Sequence, residues 1–83
     1  MLPAPQLAGR RYVVYGLART GLSAVRFLGA NGAEVLAWDD APAQRAALSE
    51  QRDAIEGGEH IAIGDPMDAD LAGYAGLVVS PGV

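Results

Sequence analysis

The sequence predicts an α/β fold built on a parallel β-sheet, and three observations support this prediction. Short runs of β-branched and apolar residues recur along the chain, and segments with helical character separate them. These segments are long enough to cross between parallel strands, which favours right-handed crossovers. The chain has 83 residues, of which 51% are hydrophobic, and this suits one small domain. We therefore expect a single Rossmann-like domain with about four parallel strands and helices on both faces of the sheet.

The first half of the domain is predicted to be a β-α-β unit. Residues 12–15 form a β-branched and aromatic run, which predicts a buried strand. Apolar residues repeat at helical spacing through 20–31, with the Thr20 hydroxyl as the expected N-cap and Gly32 as the left-handed stop. Residues 34–38 predict the second strand.

The second half repeats the alternation. Pro42 begins a segment rich in helix formers, which predicts a surface helix over 43–55. A third strand is expected at 60–63, a brief helical stretch over 65–71, and a fourth strand at 77–79.

The predicted domain does not begin at the first residue of the chain. Two prolines within residues 1–9 predict a flexible leader, so the domain is expected to span 10–83. A turn follows the fourth strand directly, where such folds usually continue into a helix. We therefore interpret the sequence as an N-terminal fragment of a longer multidomain protein.

Composition excludes several function classes. The net charge is -4, and all six basic residues are arginines, which argues against a nucleic-acid or anionic-membrane surface. The absence of lysine and cysteine excludes amine and thiol chemistry, and a single histidine excludes a multi-histidine metal cage. We find no catalytic carboxylate pair, nucleophile–base pair or metal-ligand spacing. No apolar run is of membrane-spanning length and no signal peptide is evident, so a cytoplasmic location is expected.

A glycine turn follows the first predicted strand. Gly16 and Gly21 have the outer spacing of a G-x-G-x-x-G phosphate motif, with Ala18 at the middle position. Free backbone N–H groups at the start of the following helix would face an anion there, and Arg19 and Thr20 lie in the same turn. The alternative is a plain strand-to-helix turn that binds no ligand.

Two carboxylates follow the second predicted strand. Asp39 lies 23 positions after Gly16, close to the spacing at which an acidic residue reads the ribose in dinucleotide-binding domains. Asp40 adds a second negative charge, which disfavours a 2′-phosphate. The alternative is that the two residues only cap the helix behind Pro42.

A third turn, with the sequence Ser-Pro-Gly, follows the fourth predicted strand. Ser80 offers a hydroxyl, and Gly82 lets a ligand approach the backbone, although a simple turn would use the same residues. Because carboxyl ends of parallel strands meet at one sheet edge, the three turns are expected to converge there.

Taken in order, three stretches resemble a known family. They are Gly-Leu-Ala-Arg-Thr-Gly-Leu-Ser at 16–23, Ala-Trp-Asp-Asp at 37–40 and Val-Ser-Pro-Gly-Val at 79–83. The sequence resembles the N-terminal domain of the MurD-type Mur ligases, which add D-glutamate to UDP-MurNAc-L-alanine, over almost its whole length. The resemblance implies a role in bacterial peptidoglycan precursor synthesis, and hence in cell wall formation, cell shape and division.

The resemblance also implies roles for individual residues. The domain would bind the UDP part of the substrate, while ATP and Mg²⁺ would be bound by remaining domains of the same chain. The fragment itself would then bind no cofactor, contain no catalytic residue and be inactive alone. Ala18 and Ala41 depart from the family pattern. The residues implied in UDP binding are Gly16, Arg19, Thr20, Gly21, Asp39, Asp40, Ser80 and Gly82.

Two other functions fit parts of the same pattern. The near-complete glycine motif and Asp39 also fit an NAD-binding domain of a dehydrogenase. A glycine turn paired with an acidic strand end also occurs in regulatory nucleotide-sensing domains. Ala18 and the Ser-Pro-Gly turn weaken the dehydrogenase alternative.

Overall fold

The computed structural model of the chain describes residues 7–79, which form an alternating α/β unit. Its strands and helices are β1 (Arg11–Tyr15), α1 (Arg19–Ala30), β2 (Glu34–Trp38), α2 (Pro42–Arg52), β3 (Ile61–Ile63) and β4 (Gly76–Val79). Short 3₁₀ turns, Gly58–His60 and Pro66–Asp68, precede and follow β3. Each strand and α1 lie within one residue of their predicted bounds.

The four strands form one parallel sheet in the order β3-β2-β1-β4. β1 is central, and Val13 pairs with Leu36 of β2 on one side and with Leu77 of β4 on the other. The order reverses direction after β3, which is the arrangement of a doubly wound fold. The predicted Rossmann-like class is therefore confirmed.

α1 ends where the sequence predicts, because Gly32 adopts a left-handed conformation with φ of 83°. The Gly32 N–H donates to the carbonyl of Gly29, and the Ala33 N–H donates to that of Leu28, each at 3.0 Å. This double closure is a Schellman motif, which satisfies the last helical carbonyls and turns the chain into β2.

Both α-helices within residues 7–79 pack on one face of the sheet, which differs from the predicted placement of helices on both faces. Successive steps from β1 to β2 to β3 run in one direction, so right-handed crossovers place α1 and α2 together. The buried cluster confirms this, since Val25 and Leu28 of α1 and Leu48 of α2 share it. The strand residues in the same cluster are Val14, Val35, Ala37 and Ile61.

The second face is crossed by the connection between β3 and β4, residues 64–75. At its start, a side chain at Gly64 would meet Cδ1 of Leu36, and near its end the guanidinium of Arg11 stacks over the ring of Tyr74 at 5.3 Å. Leu36 and Arg11 both point away from the face that carries the α-helices. Val13 on this second face is only 1% exposed.

Two predicted helices are too long. The helix predicted over 43–55 ends at Arg52, because the chain turns back and Gly58 packs against the Arg52 carbonyl. The helical stretch predicted over 65–71 is only the 3₁₀ turn Pro66–Asp68. Its Asp65 carboxylate accepts the Met67 N–H at 2.9 Å, and the chain is extended again at the following residue.

Within residues 7–79, none of the helices combines the length and the apolar character that crossing a bilayer requires.

Candidate functional site at the carboxyl edge of the sheet

The glycine turn joins β1 to α1 at the carboxyl edge. Gly16 is buried and has φ of 98°, a conformation that favours glycine and that the tight turn after β1 requires. Gly21 is buried within the first turns of α1, as expected for close packing between helix and strand. The turn therefore delivers the start of α1 directly above the end of β1.

The start of α1 has no side-chain cap. Ala18 occupies the N-cap position and its side chain accepts nothing, while Thr20 lies inside the helix. The prediction that the Thr20 hydroxyl caps α1 is therefore wrong, because the helix begins one residue earlier than the sequence pattern suggests. Arg19 and Thr20 are both exposed. Neither side chain has a hydrogen bond or ion pair within the described part of the chain.

Asp39 connects the glycine turn to the beginning of α2. Its Oδ2 accepts the backbone N–H of Leu17 at 2.7 Å, and its Oδ1 accepts the N–H of Ala41 at 2.8 Å. Ala41 is the N-cap residue of α2, so one carboxylate joins two turns that are far apart in sequence. Neither Asp39 nor Asp40 caps α2, because the cap position belongs to Ala41 and no side chain caps the helix, so the capping alternative is wrong.

The two backbone hydrogen bonds also set the charge state of Asp39. They lower the pKa of its carboxyl below the usual 3.8, with the Leu17 N–H as the largest cause and the Ala41 N–H next. The nearby Arg45 guanidinium lowers the pKa further, and burial opposes these effects. Asp39 is therefore a carboxylate throughout the neutral pH range.

Asp40 lies beside Asp39 but has different partners. Its Oδ1 accepts the phenol of Tyr15 at 2.6 Å and the indole N–H of Trp38 at 3.3 Å. The hydrogen bond to Asp40 is the main reason why the pKa of Tyr15 is raised above 10.0. Tyr15 and Trp38 are register partners at the ends of β1 and β2, so Asp40 connects the last side chains of the two strands.

Arg45, in the first turns of α2, holds the same corner from the helix side. Its Nη1 donates to the carbonyl of Asp39 at 2.7 Å and to that of Asp40 at 3.3 Å. The guanidinium also stacks over the Trp38 ring at 4.3 Å. The β2–α2 turn is thereby fixed through its backbone as well as through its side chains.

The structure therefore joins two of the three predicted turns. The link between the glycine turn and the acidic turn runs through the Leu17 N–H, which carries no side-chain signal in a sequence. Arg45 was also missed, although an arginine one turn into a helix that follows an acidic pair is a usable signal. Ser80 and Gly82 lie outside the described residues, and their roles stay predictions.

A model of the family described as the N-terminal domain of MurD-like Mur ligases matches residues 10–83. The chain belongs to this MurD-like family. The family resemblance given by the sequence motifs is confirmed.

Curated relatives of the MurD-like family carry the name UDP-N-acetylmuramoylalanine–D-glutamate ligase. One from Sphingopyxis alaskensis is 50% identical over 84 residues, which cover 100% of this chain and 17% of the relative. Another from Novosphingobium aromaticivorans is 48% identical, with 100% and 17% covered. A third from Zymomonas mobilis is 44% identical, with 100% and 19% covered. The chain thus spans about one sixth of the length of the first two relatives. No solved structure matches it.

Proposed function

We propose that this chain is the UDP-binding domain of a ligase that adds D-glutamate to UDP-MurNAc-L-alanine. The observation that carries the proposal is the match of the whole chain, at 50% identity, to a protein with that ligase name. In peptidoglycan precursor synthesis, which we place in the cytoplasm, the domain would hold the nucleotide end of the substrate.

The geometry at the carboxyl edge supports binding of a diphosphate. The uncapped amides at the start of α1 and the positive end of its dipole favour an anion. Arg19 is the first residue of the helix, and its exposed guanidinium can form a bidentate contact with a phosphate. Thr20, exposed beside it and without a capping role, is available to donate its hydroxyl.

The acidic turn supports recognition of the base. A carboxylate accepts hydrogen bonds only, so Asp39 or Asp40 suits the N–H edge of a uracil ring. Both lie at the end of β2, next to the glycine turn, as a single nucleotide would require. We assign the uracil edge to Asp39 with Asp40 beside it, and the sugar-diphosphate path to Gly82 and Ser80.

Amide-bond formation itself is proposed to take place elsewhere. The chain contains no lysine, and residues 7–79 contain no group of three acidic, histidine or cysteine residues that could hold a metal ion. We therefore propose that ATP and Mg²⁺ bind in the part of the ligase that this chain does not cover. The domain alone would be inactive, and its contribution would be to position a substrate whose reacting end lies in other domains.

Ligand-observed NMR on the 83-residue chain tests this function. UDP-MurNAc-L-Ala, UDP and NADH are compared at equal concentration, and we expect saturation transfer to the two uridine ligands. Transfer to NADH alone would contradict the proposal and favour a dinucleotide-binding domain.

A pair of arginine variants locates the diphosphate. Arg19→Ala should weaken UDP binding about tenfold, because a charge-assisted contact to phosphate contributes roughly 1.5 kcal/mol or more. Arg26→Ala is the matched control, since Arg26 is also exposed on α1 but lies two turns further from its start. Equal affinities of the two variants, measured by titration calorimetry, would remove Arg19 from the site.

A further inference from the structure

The carboxylate of Asp39 extends the pairing of β1 and β2 beyond the last backbone rung. The N–H of Gly16 donates to the carbonyl of Trp38 at 2.7 Å. One residue later, the N–H of Leu17 donates to Oδ2 of Asp39, also at 2.7 Å. A side chain thus accepts the first N–H that follows the last backbone rung.

This rung fixes the place where α1 begins. Leu17 is 2% exposed, and its side chain belongs to the core cluster on the face that carries both α-helices. With its side chain held in the core and its N–H held by Asp39, Leu17 has little freedom. Ala18 and Arg19 follow directly, so the direction of their amides is set by the residue before them.

Asp39 is itself rigid enough to serve as such a support. Its other carboxylate oxygen accepts the Ala41 N–H at 2.8 Å, and its carbonyl accepts Nη1 of Arg45 at 2.7 Å. Both partners belong to the start of α2, which packs on the sheet through Leu48. The beginning of α2 is thereby connected through Asp39 to the beginning of α1.

We propose that Asp39 is a positioning residue for the diphosphate-binding turn, in addition to any contact it makes with the base. The inference rests on the proposed function. The Asp39 carboxylate then has two opposite effects on anion binding. Its negative charge repels the anion, but its hydrogen bonds hold the turn in the conformation that binds the anion. Removal of Asp39 should therefore weaken binding of a ligand that contains no base.

Asp40 provides the matched control. Asp39→Asn and Asp40→Asn remove the same charge at adjacent positions. Asp40, however, bonds the side chains of Tyr15 and Trp38 and has no hydrogen bond to the glycine turn. Loss of charge alone should strengthen anion binding in both variants. Only D39N also weakens the contact with the Leu17 N–H, because its single amide oxygen replaces two charged oxygens that accept from Leu17 and Ala41.

The experiment is titration of the wild type, D39N and D40N with inorganic pyrophosphate and, separately, with uridine and UDP. We expect D39N to bind pyrophosphate about tenfold more weakly than D40N, since an amide loses a charged acceptor. Equal pyrophosphate affinities of D39N and D40N, with weaker uridine binding in D39N, would overturn the inference and leave Asp39 as a base contact only. Failure of the wild type to bind UDP would overturn the proposed function and the inference with it.

A second measurement guards against a variant that folds poorly. In the isotope-labelled wild-type chain, the Leu17 amide resonance should move as the pH falls through the titration of Asp39. In D39N this dependence should vanish, and in D40N it should persist. A Leu17 amide that does not respond in the wild type would contradict the rung on which the inference depends.

Discussion

At the scale of single residues, the carboxyl edge is organised by one carboxylate with two backbone partners. Asp39 accepts from the amides of Leu17 and Ala41, and its own carbonyl accepts from Arg45. These contacts join the glycine turn to the start of α2, so the geometry of both turns depends on Asp39. Asp40, by contrast, has side-chain partners only and orders the rim through Tyr15.

The lowered pKa of Asp39 predicts a specific dependence of stability on pH. In the folded chain the pKa lies below the usual 3.8, so the unfolded chain binds a proton first as the pH falls. The contribution of Asp39 is therefore complete above the unfolded pKa and is lost as the pH falls through the folded value. We expect the difference in unfolding free energy between wild type and Asp39→Asn to shrink below about pH 4.

Urea unfolding across the acidic range measures this difference. Glu50→Gln, which removes an exposed carboxylate from α2, is the control for loss of charge alone. If the curves of wild type and D39N fall in parallel from neutral to acidic pH, the backbone hydrogen bonds of Asp39 do not contribute to stability.

The sequence alone predicts the chemical character of this site better than its connections. A glycine turn after a strand and an acidic pair 23 positions later predicts an anion site and an acceptor at one sheet edge. The Leu17 contact was not predictable, because a backbone amide looks the same at every position. Thr20 misled the prediction, since a hydroxyl near a helix start resembles a cap even when the turn places Ala18 there.

At the scale of elements, α1 and the turn before β3 approach each other closely. Gly57 has φ of 80°, and a Cβ there would overlap the carbonyl of Gly29 in α1. Gly29 in turn has no room, since its own Cβ would meet the Gly57 oxygen at 3.0 Å and Ile61 at 3.3 Å. Two glycines facing each other therefore let the chain pass against the helix.

Substitution at Gly57 should thus be costly for two separate reasons. Gly57→Ala adds left-handed strain and a backbone overlap, and we expect a loss of about 2–4 kcal/mol in unfolding free energy. Gly9→Ala separates the two effects, because Gly9 has φ of 78° but nothing within 4 Å of its Cβ position. That variant should lose only about 1 kcal/mol. Equal losses in chemical denaturation would show that the approach to Gly29 is not tight.

The elements also show where local sequence stops being sufficient. β2 is predicted over its full range, since an apolar run between Gly32 and the acidic pair has clear limits at both ends. The stretch over 65–71 has the Asp-Pro opening of a helix, but only the turn Pro66–Asp68 forms. Its apolar residues are too few to pack as a helix: Met67 is 88% exposed and Leu71 42%.

At the scale of the whole molecule, the two faces of the sheet are covered unequally. The face with α1 and α2 holds most of the buried cluster, while the other is crossed by a connection with one short 3₁₀ turn. β4 lies at the sheet edge, and its Leu77 and Val79 are 62% and 61% exposed. Stability of the chain should therefore reside on the helical face.

A matched pair of leucine substitutions tests this asymmetry. Leu48→Ala empties a position that is 1% exposed between α2 and the sheet, and should reduce the unfolding free energy by about 2–4 kcal/mol. Leu77→Ala removes the same atoms from the exposed face and should cost less than about 1 kcal/mol. Urea denaturation of both variants under one condition gives the comparison.

A large loss in L77A would mean that the second face is covered in solution, and the present distribution of the core would then be incorrect. A small loss in L48A would mean that packing on the helical face is not the main source of stability. The larger loss expected in L48A follows from the topology. Because β1, β2 and β3 are adjacent in chain order, right-handed crossovers place both α-helices on the same side of the sheet.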